Sequence, residues 1–346
     1  MKFIFLLLLP ITLLSQTPTS ELPYKDQPIS KKIQHHKRWL NTSDNLKGKQ
    51  LDVDKEDLTG VDFSGIDLSK AKFKNCILKF AMFSNTNLSL TEFVDCDLSN
   101  ADLSNTILND SKFIRCTMNG SSFKNSEIKR ATFTAKQNVV DTSYVNFENT
   151  KVHSVEFGHI NFKNFSLQGA NFFNNKFFTC QFPNKDFRVF ERFERTLFDK
   201  CILDNSTAIG VKFGEIKFIS SNARDVDFTK AEFIRCIILN QSDFSGSKFI
   251  EANLRGSYFR NSRFRRCGFS KTNLDDSEIR VCDFESAVIQ EPIARNTDFS
   301  GSNFYAGYLN FSDVHSKANF TGCTWSNGNQ CDTESFGYCK QVVDNN

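Results

Sequence analysis

The sequence predicts an all-β coil, a solenoid that turns once every five residues and closes after four such turns. Three observations carry this. Every fifth residue from Leu58 to Phe133 is Leu, Phe, Met or Ile; the residue two before it is mostly small, as at Ala71, Cys76, Thr86, Cys96 and Ser111; and like residues recur at intervals of twenty. A fixed period of this kind is the sequence signature of a repeat architecture.

Apolar residues five apart on an α-helix would step round by roughly 140° each and cover every side, so no amphipathic helix results. In a strand, residues two apart share a side, so each large residue and its small predecessor point into one core. Five is odd, and a straight strand would send the next large residue outward. The chain must therefore turn once per repeat. Phe73, Phe93, Phe113 and Phe133, the aliphatic Leu68, Leu88, Leu108 and Ile128, and Cys76, Cys96 and Cys116 all keep the twenty-residue interval, so like stacks on like when four repeats close a coil. The 38 Phe against 2 Trp and 3 Met agree with a repeated core rather than a mixed one.

Residues 1–20 read as an export signal: Met1 and Lys2, an apolar run Phe3 to Leu14, then polar Ser15 to Ser20. That run is shorter than the roughly 20 residues a membrane span needs, so the mature chain is expected to have no transmembrane span and to be periplasmic or secreted. Residues 21–50 are basic, and Pro28 opens a candidate helix with Ile29, Ile33, His36 and Leu40 on one face. We read it as a candidate helical cap, because an uncovered coil end invites strand addition; a basic arm for an anionic surface is the other role it suits. The coil is expected over 51–325, with breaks near 134–146 and 188–197. A slip near Ile237 leads to a second block counted from Leu239 to Val314, and another slip precedes Phe320 and Trp325. Residues 326–346 form a tail or cap.

Between Phe147 and Phe187 the small position carries Val155, Ile160, Phe165, Asn175 and Lys185, which predicts local widening or distortion. Phe173, Phe178, Phe190 and Phe193 fall off the main register there and form a candidate partner surface. A second candidate is an anion-binding cluster, Arg255, Arg260, Arg263, Arg265, Arg266 and Arg280. The plainer reading spreads it over several faces, balanced by Asp275, Asp276 and Glu278. The overall balance, 43 basic and 40 acidic residues, points to no class of partner, and nucleic acid is not expected.

Of eleven cysteines, Cys76, Cys96, Cys116, Cys180, Cys201, Cys267, Cys282 and Cys323 occupy the small inward position and Cys236 lies beside a slip. There they act as small hydrophobes. Cys331 and Cys339 lie outside the repeat and form a candidate disulfide closing a short loop; a free pair or a metal pair are the alternatives. His35, His36, His153, His159 and His315 are scattered, and no motif for metal hydrolysis, a nucleophile elbow or phosphate binding occurs. No enzyme activity, cofactor or metal is expected.

Units such as Val61-Asp62-Phe63-Ser64-Gly65, Ala101-Asp102-Leu103-Ser104-Asn105 and Ala252-Asn253-Leu254-Arg255-Gly256 resemble the A-(D/N)-L-x-x unit of the pentapeptide-repeat family. The resemblance covers roughly residues 51 to 325 and implies a right-handed quadrilateral β-helix, here of about thirteen coils. Only the fold is carried over from the family, whose members do many things; the role expected here is that of a rigid, exported, non-enzymatic scaffold for protein or envelope interaction, with an unidentified protein partner or a second copy as occupant. The resemblance also carries an alternative, because some relatives mimic DNA and protect gyrase from quinolones. A near-neutral charge and an export signal weigh against that topoisomerase-binding role.

Overall fold

The computed structural model of the chain describes residues 24–42, 48–135, 144–311 and 317–341. It divides into two compact units, residues 1–49 and 50–346. Within the first, a single turn over Tyr24–Asp26 precedes an α-helix, Ile29–Asn41, with extended Pro28 at its N-cap. The expected export signal lies outside the described residues.

The second unit is a right-handed quadrilateral β-helix of about 13 turns. Its first face is a twelve-stranded parallel sheet of three-residue strands, Asp52–Asp54 through Glu278–Arg280, in which Val53, Phe73, Phe93, Phe113 and Phe133 lie in register. The columns headed by Leu58, Phe63 and Leu68 make the other three faces, paired mostly through isolated parallel bridges such as Asp57 to Ile77 and Asp62 to Met82. A four-stranded parallel sheet, Glu127–Lys129 through Arg192–Glu194, lies in the Leu68 column, and a pair of strands, Val288–Gln290 and Tyr308–Asn310, in the Phe63 column. The register interval is twenty residues in the regular coils. It becomes twenty-four between Phe133 and Phe157, and twenty-one between Phe177 and Phe198, Ile238 and Phe259, and Asp298 and Asn319. Four residues are therefore inserted at the first break and one at each of the others; residues 136–143 and 312–316, including Val314, lie outside the described residues.

Each corner is made by the second residue after a large one, which takes a positive φ: Lys70 65°, Asn85 60°, Asp95 53°, Asn105 56°, with Gly at 60 and 65. Gly, and less readily Asn or Asp, takes this conformation cheaply, and all three recur at the corners beside Lys, Arg and Glu, with Phe80, Leu90 and Val281 as bulky apolar exceptions. At many corners the amide of the third residue after the large one bonds its carbonyl, as in Val61 to Leu58 and Ala81 to Leu78, both at 3.2 Å. Asp57, Asp62 and Asp97 accept from the backbone two residues on, at 2.8–3.0 Å, and hold the turn.

Large residues stack as the twenty-residue interval predicts. Phe73, Phe93, Phe113 and Phe133 lie parallel with centroids 5.1, 4.9 and 4.6 Å apart, and Phe244, Phe264, Phe284 and Phe304 repeat this at 5.5, 5.2 and 5.1 Å. Edge-to-face contacts such as Phe63 to Phe73, at 5.9 Å, tie neighbouring faces together.

The small inward residue has a second task. In many coils its side chain donates to the carbonyl of the large residue one coil back, as Thr86 does to Phe63 at 2.7 Å, Cys96 to Phe73 at 3.3 Å, Cys236 to Phe213 at 3.2 Å and Ser302 to Ile279 at 3.0 Å; in others, such as Ser111 to Leu108 at 3.0 Å, it takes the large residue three before it. Where no turn amide reaches that carbonyl, this bond keeps a buried acceptor from going unpaired. Thr, Ser and Cys interchange because each offers one donor in a small volume. The nine thiols so placed are buried, and burial pushes those of Cys282 and Cys323 up to about 12, so they are inert donors rather than nucleophiles.

Beyond the coil, residues 329–341 fold back antiparallel over the last turn, with bridges Asn319 to Phe336 and Thr324 to Gln330, and Cys331 is joined to Cys339 across a Cα separation of 5.1 Å. One register expectation fails. The core residue at the slip is Ile238, fully buried, whereas Leu239 is half-exposed, because the extra residue is accommodated at Asn240 and Gln241, both at positive φ.

Ser302→Ala leaves the Ile279 carbonyl unpaired and should lower unfolding free energy by about 1–3 kcal/mol. Ser302→Cys retains a donor and should lose less in the same denaturant titration; equal losses would show that the bond is dispensable.

Candidate functional site

The irregular middle shows what happens when bulk enters the small position. Asn175 is accommodated by imitation: its amide donates to the Val152 carbonyl at 3.1 Å, the bond Ser or Cys would make, and its carbonyl accepts from the Val155 amide at 2.9 Å. Val155 and Ile160 are absorbed in the core. Phe165 is also buried, 4.7 Å from Phe162 and 5.8 Å from Phe147 between centroids. Above it Lys185 sits half-buried, and its ammonium takes the Phe165 carbonyl at 2.8 Å.

The ladder between coils opens here. In regular turns the large residue donates its amide to the next coil, as Phe187 does to Thr207 at 2.8 Å, and the residue before a large one donates back, as Glu232 does to Val211 at 2.9 Å. Among the described residues, no such backbone bond joins Leu167 to Asp186, Asp186 to Phe165, Phe193 to Lys212, or Lys212 to Glu191. Bulk at Phe165 and Lys185, and one extra residue carried after the turn Phe187–Val189, hold these strands apart.

The opening forms two adjoining hollows on the fourth face, of about 300 and 310 Å³, which share Glu194 and Lys212. Phe190, Ile209 and Val211 line the first; Arg195, Glu215 and Ile234 line the second. Gly210 and Gly214 leave wall positions without side chains, and Ala208 stands where the column calls for a large residue.

The four candidate aromatics separate. Phe193 is a correction: it is 2 % exposed, pairs in register with Phe172 and belongs to the core, because the inserted residue precedes it and the five-count resumes there rather than at Phe198. Phe190 is half-buried between Phe172, Phe187 and Phe193, at 5.3, 5.8 and 4.8 Å. Phe173 and Phe178 point outward and are half-covered. The Arg192 guanidinium lies 4.2 Å from the Phe173 ring centre and His153 5.2 Å. Phe178 covers Gly158, where a Cβ would fall inside its ring, and lies 5.4 Å from His159. Sequence reasoning missed the hollows; the run Ala208, Gly210, Gly214 was their only trace.

The arginine cluster does not converge. Arg260 and Arg280 are register partners on the first face, but Arg255 lies on the fourth and Arg263, Arg265 and Arg266 on the second. Arg255 pairs with Asp276 at 3.1 Å, Arg265 with Asp283 at 2.5 Å and Arg280 with Asp298 at 2.5 Å. Dispersal over three faces, with three of the six in ion pairs, means that the six form no single anion site among the described residues. Such pairing recurs elsewhere, as in Arg130 to Asp110 and Arg224 to Asp204, pairs twenty residues apart that hold their arginines above the usual range. Among the described residues no group of three or more His, Cys, Asp or Glu could hold a metal ion, and no helix is long and apolar enough to cross a membrane. His315 lies outside the described residues.

Burial pushes the Lys185 ammonium down to about 8. The unfolded chain keeps that proton up to the ordinary lysine range, so between about pH 8 and pH 10 it binds more protons and stability rises with pH. Thermal melts should show the wild type gaining on Lys185→Met over this window and the difference flat below it; parallel curves would contradict this placement of Lys185.

Comparison with known proteins follows the same repeat. Family models described as "Pentapeptide repeat region" and "Pentapeptide repeats (8 copies)" match residues 56–137 and 242–280. No curated protein matches significantly. Similar solved structures include a pentapeptide repeat protein from the thylakoid lumen of Arabidopsis thaliana, 30% identical over 29% of this chain and 67% of that one, with a TM-score of 0.27. HetL, a pentapeptide repeat protein involved in heterocyst differentiation regulation in the cyanobacterium Nostoc sp., is 14% identical over 81% of this chain and 92% of its own, TM-score 0.21. Full-length QnrB1, a plasmid-mediated fluoroquinolone resistance protein, is 14% identical over 80% and 94%, TM-score 0.17. The matched repeats, and the four-sided coil they build, establish that this chain belongs to the pentapeptide-repeat family.

Proposed function

We propose that this protein is an exported, non-enzymatic scaffold whose rigid β-helix presents its irregular middle to a protein partner. The observation that carries the proposal is the opened ladder of residues 165–212, where two hollows adjoin partly covered aromatics. A repeat that only had to fold would keep its bonds, and local rules are broken where function competes with stability. The half-covered Phe173, Phe178 and Phe190 offer the apolar contact, and Arg188, Arg195, Glu215 and Glu232 a charged rim of both signs, the anatomy of a protein-binding patch. Export is supported by residues 1–20 and by the Cys331 to Cys339 bridge, which suits an oxidising compartment. Many of the coil's exposed charges are paired between coils and the whole chain's net charge is +3, which does not favour a DNA mimic.

Photo-cross-linking in producing cells tests the contact region. A probe at residue 178 should yield a discrete protein adduct, lost in Phe173→Ser, while a probe at residue 248 on a regular coil yields none. Adducts of equal strength from both positions, or none from residue 178, would overturn the proposal.

A further inference from the structure

A second surface lies among the regular coils, away from the middle. Corner positions favour Gly, Asn, Asp and flexible polar residues; Phe80 occupies one at φ 57° and is 57 % exposed. Leu90 and Val281 also occupy corners, at 61° and 54°, but Phe80 is the bulkiest of the three and the one with exposed apolar neighbours on both adjoining faces. A bulky side chain at positive φ is a genuine outlier, and strain that folding does not need points to function. Ile77 and Met82 flank this corner on its two faces, also exposed, at 42 and 41 %. The corner one coil back is Gly60, around whose Cβ position there is open space, so one side of Phe80 is bare.

Carboxylates ring the apolar island. Ile77 bridges Asp57 and Asp97 in the coils before and after it, and Met82 bridges Asp62 and Asp102 in the same way. Hydrogen bonds from Thr59 hold the Asp57 carboxyl below the usual range, and the Ser64 amide does the same for Asp62, so both are ionised at neutral pH. Lys79 pairs with Asp97 at 3.3 Å, whereas Asp57, Asp62 and Asp102 have no ion-pair partner among the described residues. Elsewhere on the coil acids are commonly offset by a base twenty residues away, as Glu92 is by Lys112. Here the next-coil neighbours are apolar instead.

We propose that the Phe80 corner is a docking surface for a cationic amphipathic helix of a protein partner. Its apolar stripe would cover Phe80, Ile77 and Met82, and its flanking lysines or arginines would meet the four aspartates. Charge complementarity selects this occupant, because four carboxylates against the one ammonium of Lys79 leave the rim of the island net negative, which repels anionic lipid, nucleic acid and acidic peptides alike.

The test uses the whole chain and a synthetic Leu/Lys amphipathic helix of about 18 residues, with a scrambled peptide of equal composition as control. Calorimetry should show the wild type binding the helix at least about tenfold more tightly than the scrambled peptide, with affinity falling as salt rises. Phe80→Asn places a residue suited to positive φ, so the variant should melt at or above the wild-type temperature and yet bind at least about tenfold more weakly. Asp62→Asn with Asp102→Asn keeps the oxygens that hold both turns and removes two charges, and should weaken binding and flatten its salt dependence. Absence of wild-type binding, equal binding by Phe80→Asn or by the asparagine pair, or equal binding of the scrambled peptide would each overturn the proposal.

Discussion

The structure depends on one constraint: every backbone amide that faces along the coil axis must find a carbonyl in the adjoining turn. Parallel three-residue strands cannot meet it alone, since each is too short to be stable by itself. They meet it collectively, by returning after twenty residues to the same register, and this is why a five-residue unit with a left-handed corner recurs so strictly. The inward Ser, Thr or Cys completes the scheme where the corner leaves a carbonyl over, as Cys236 does for Phe213. Stacked phenylalanines fill the space within, but they follow from the register rather than set it.

Where the constraint is relaxed, the coil acquires features that a regular repeat lacks. Phe165 and Lys185 are too large for the inward position, the strands around them separate, and a lysine ammonium substitutes for a backbone amide on the Phe165 carbonyl. The inserted residue after Phe187 enlarges the gap into hollows, while Gly210 and Gly214 keep them open. The Phe80 corner departs differently: its ladder is intact, with the Phe80 amide on the Ser99 carbonyl at 3.0 Å, and the cost falls on backbone conformation and exposed apolar surface. Both departures expose apolar side chains on a surface where many charges are ion-paired between coils.

Much of this was legible in the residues. The period of five required a turn per repeat, the period of twenty named the stacking partners Phe73, Phe93, Phe113 and Phe133, and small residues before them marked the inward donors. Periodicity does not say which residue of an insertion leaves the coil, so counting in fives puts Phe193 outside and Leu239 where Ile238 belongs. The spread of the arginine cluster depends on which of four faces each position occupies, and its neutralisation on carboxylates eighteen to twenty-one residues distant, which reading along the chain does not bring together. The hollows leave only a faint mark, the run Ala208, Gly210 and Gly214, because they arise where bulk at Phe165 and Lys185 and an inserted residue part strands from adjoining coils, which no period along the chain records.

Hydrogen exchange of the backbone amides tests the central claim most directly. If the ladder between coils holds everywhere except the middle, Leu98, Leu103 and Phe264, each bonded to the next turn at 2.7 Å, should be protected for hours or longer. The amides of Leu167, Asp186, Phe193 and Lys212 should exchange orders of magnitude faster, although Phe193 is as buried as its neighbours. Uniform protection along the coil, with Phe193 and Lys212 as slow as Leu98, would contradict the account.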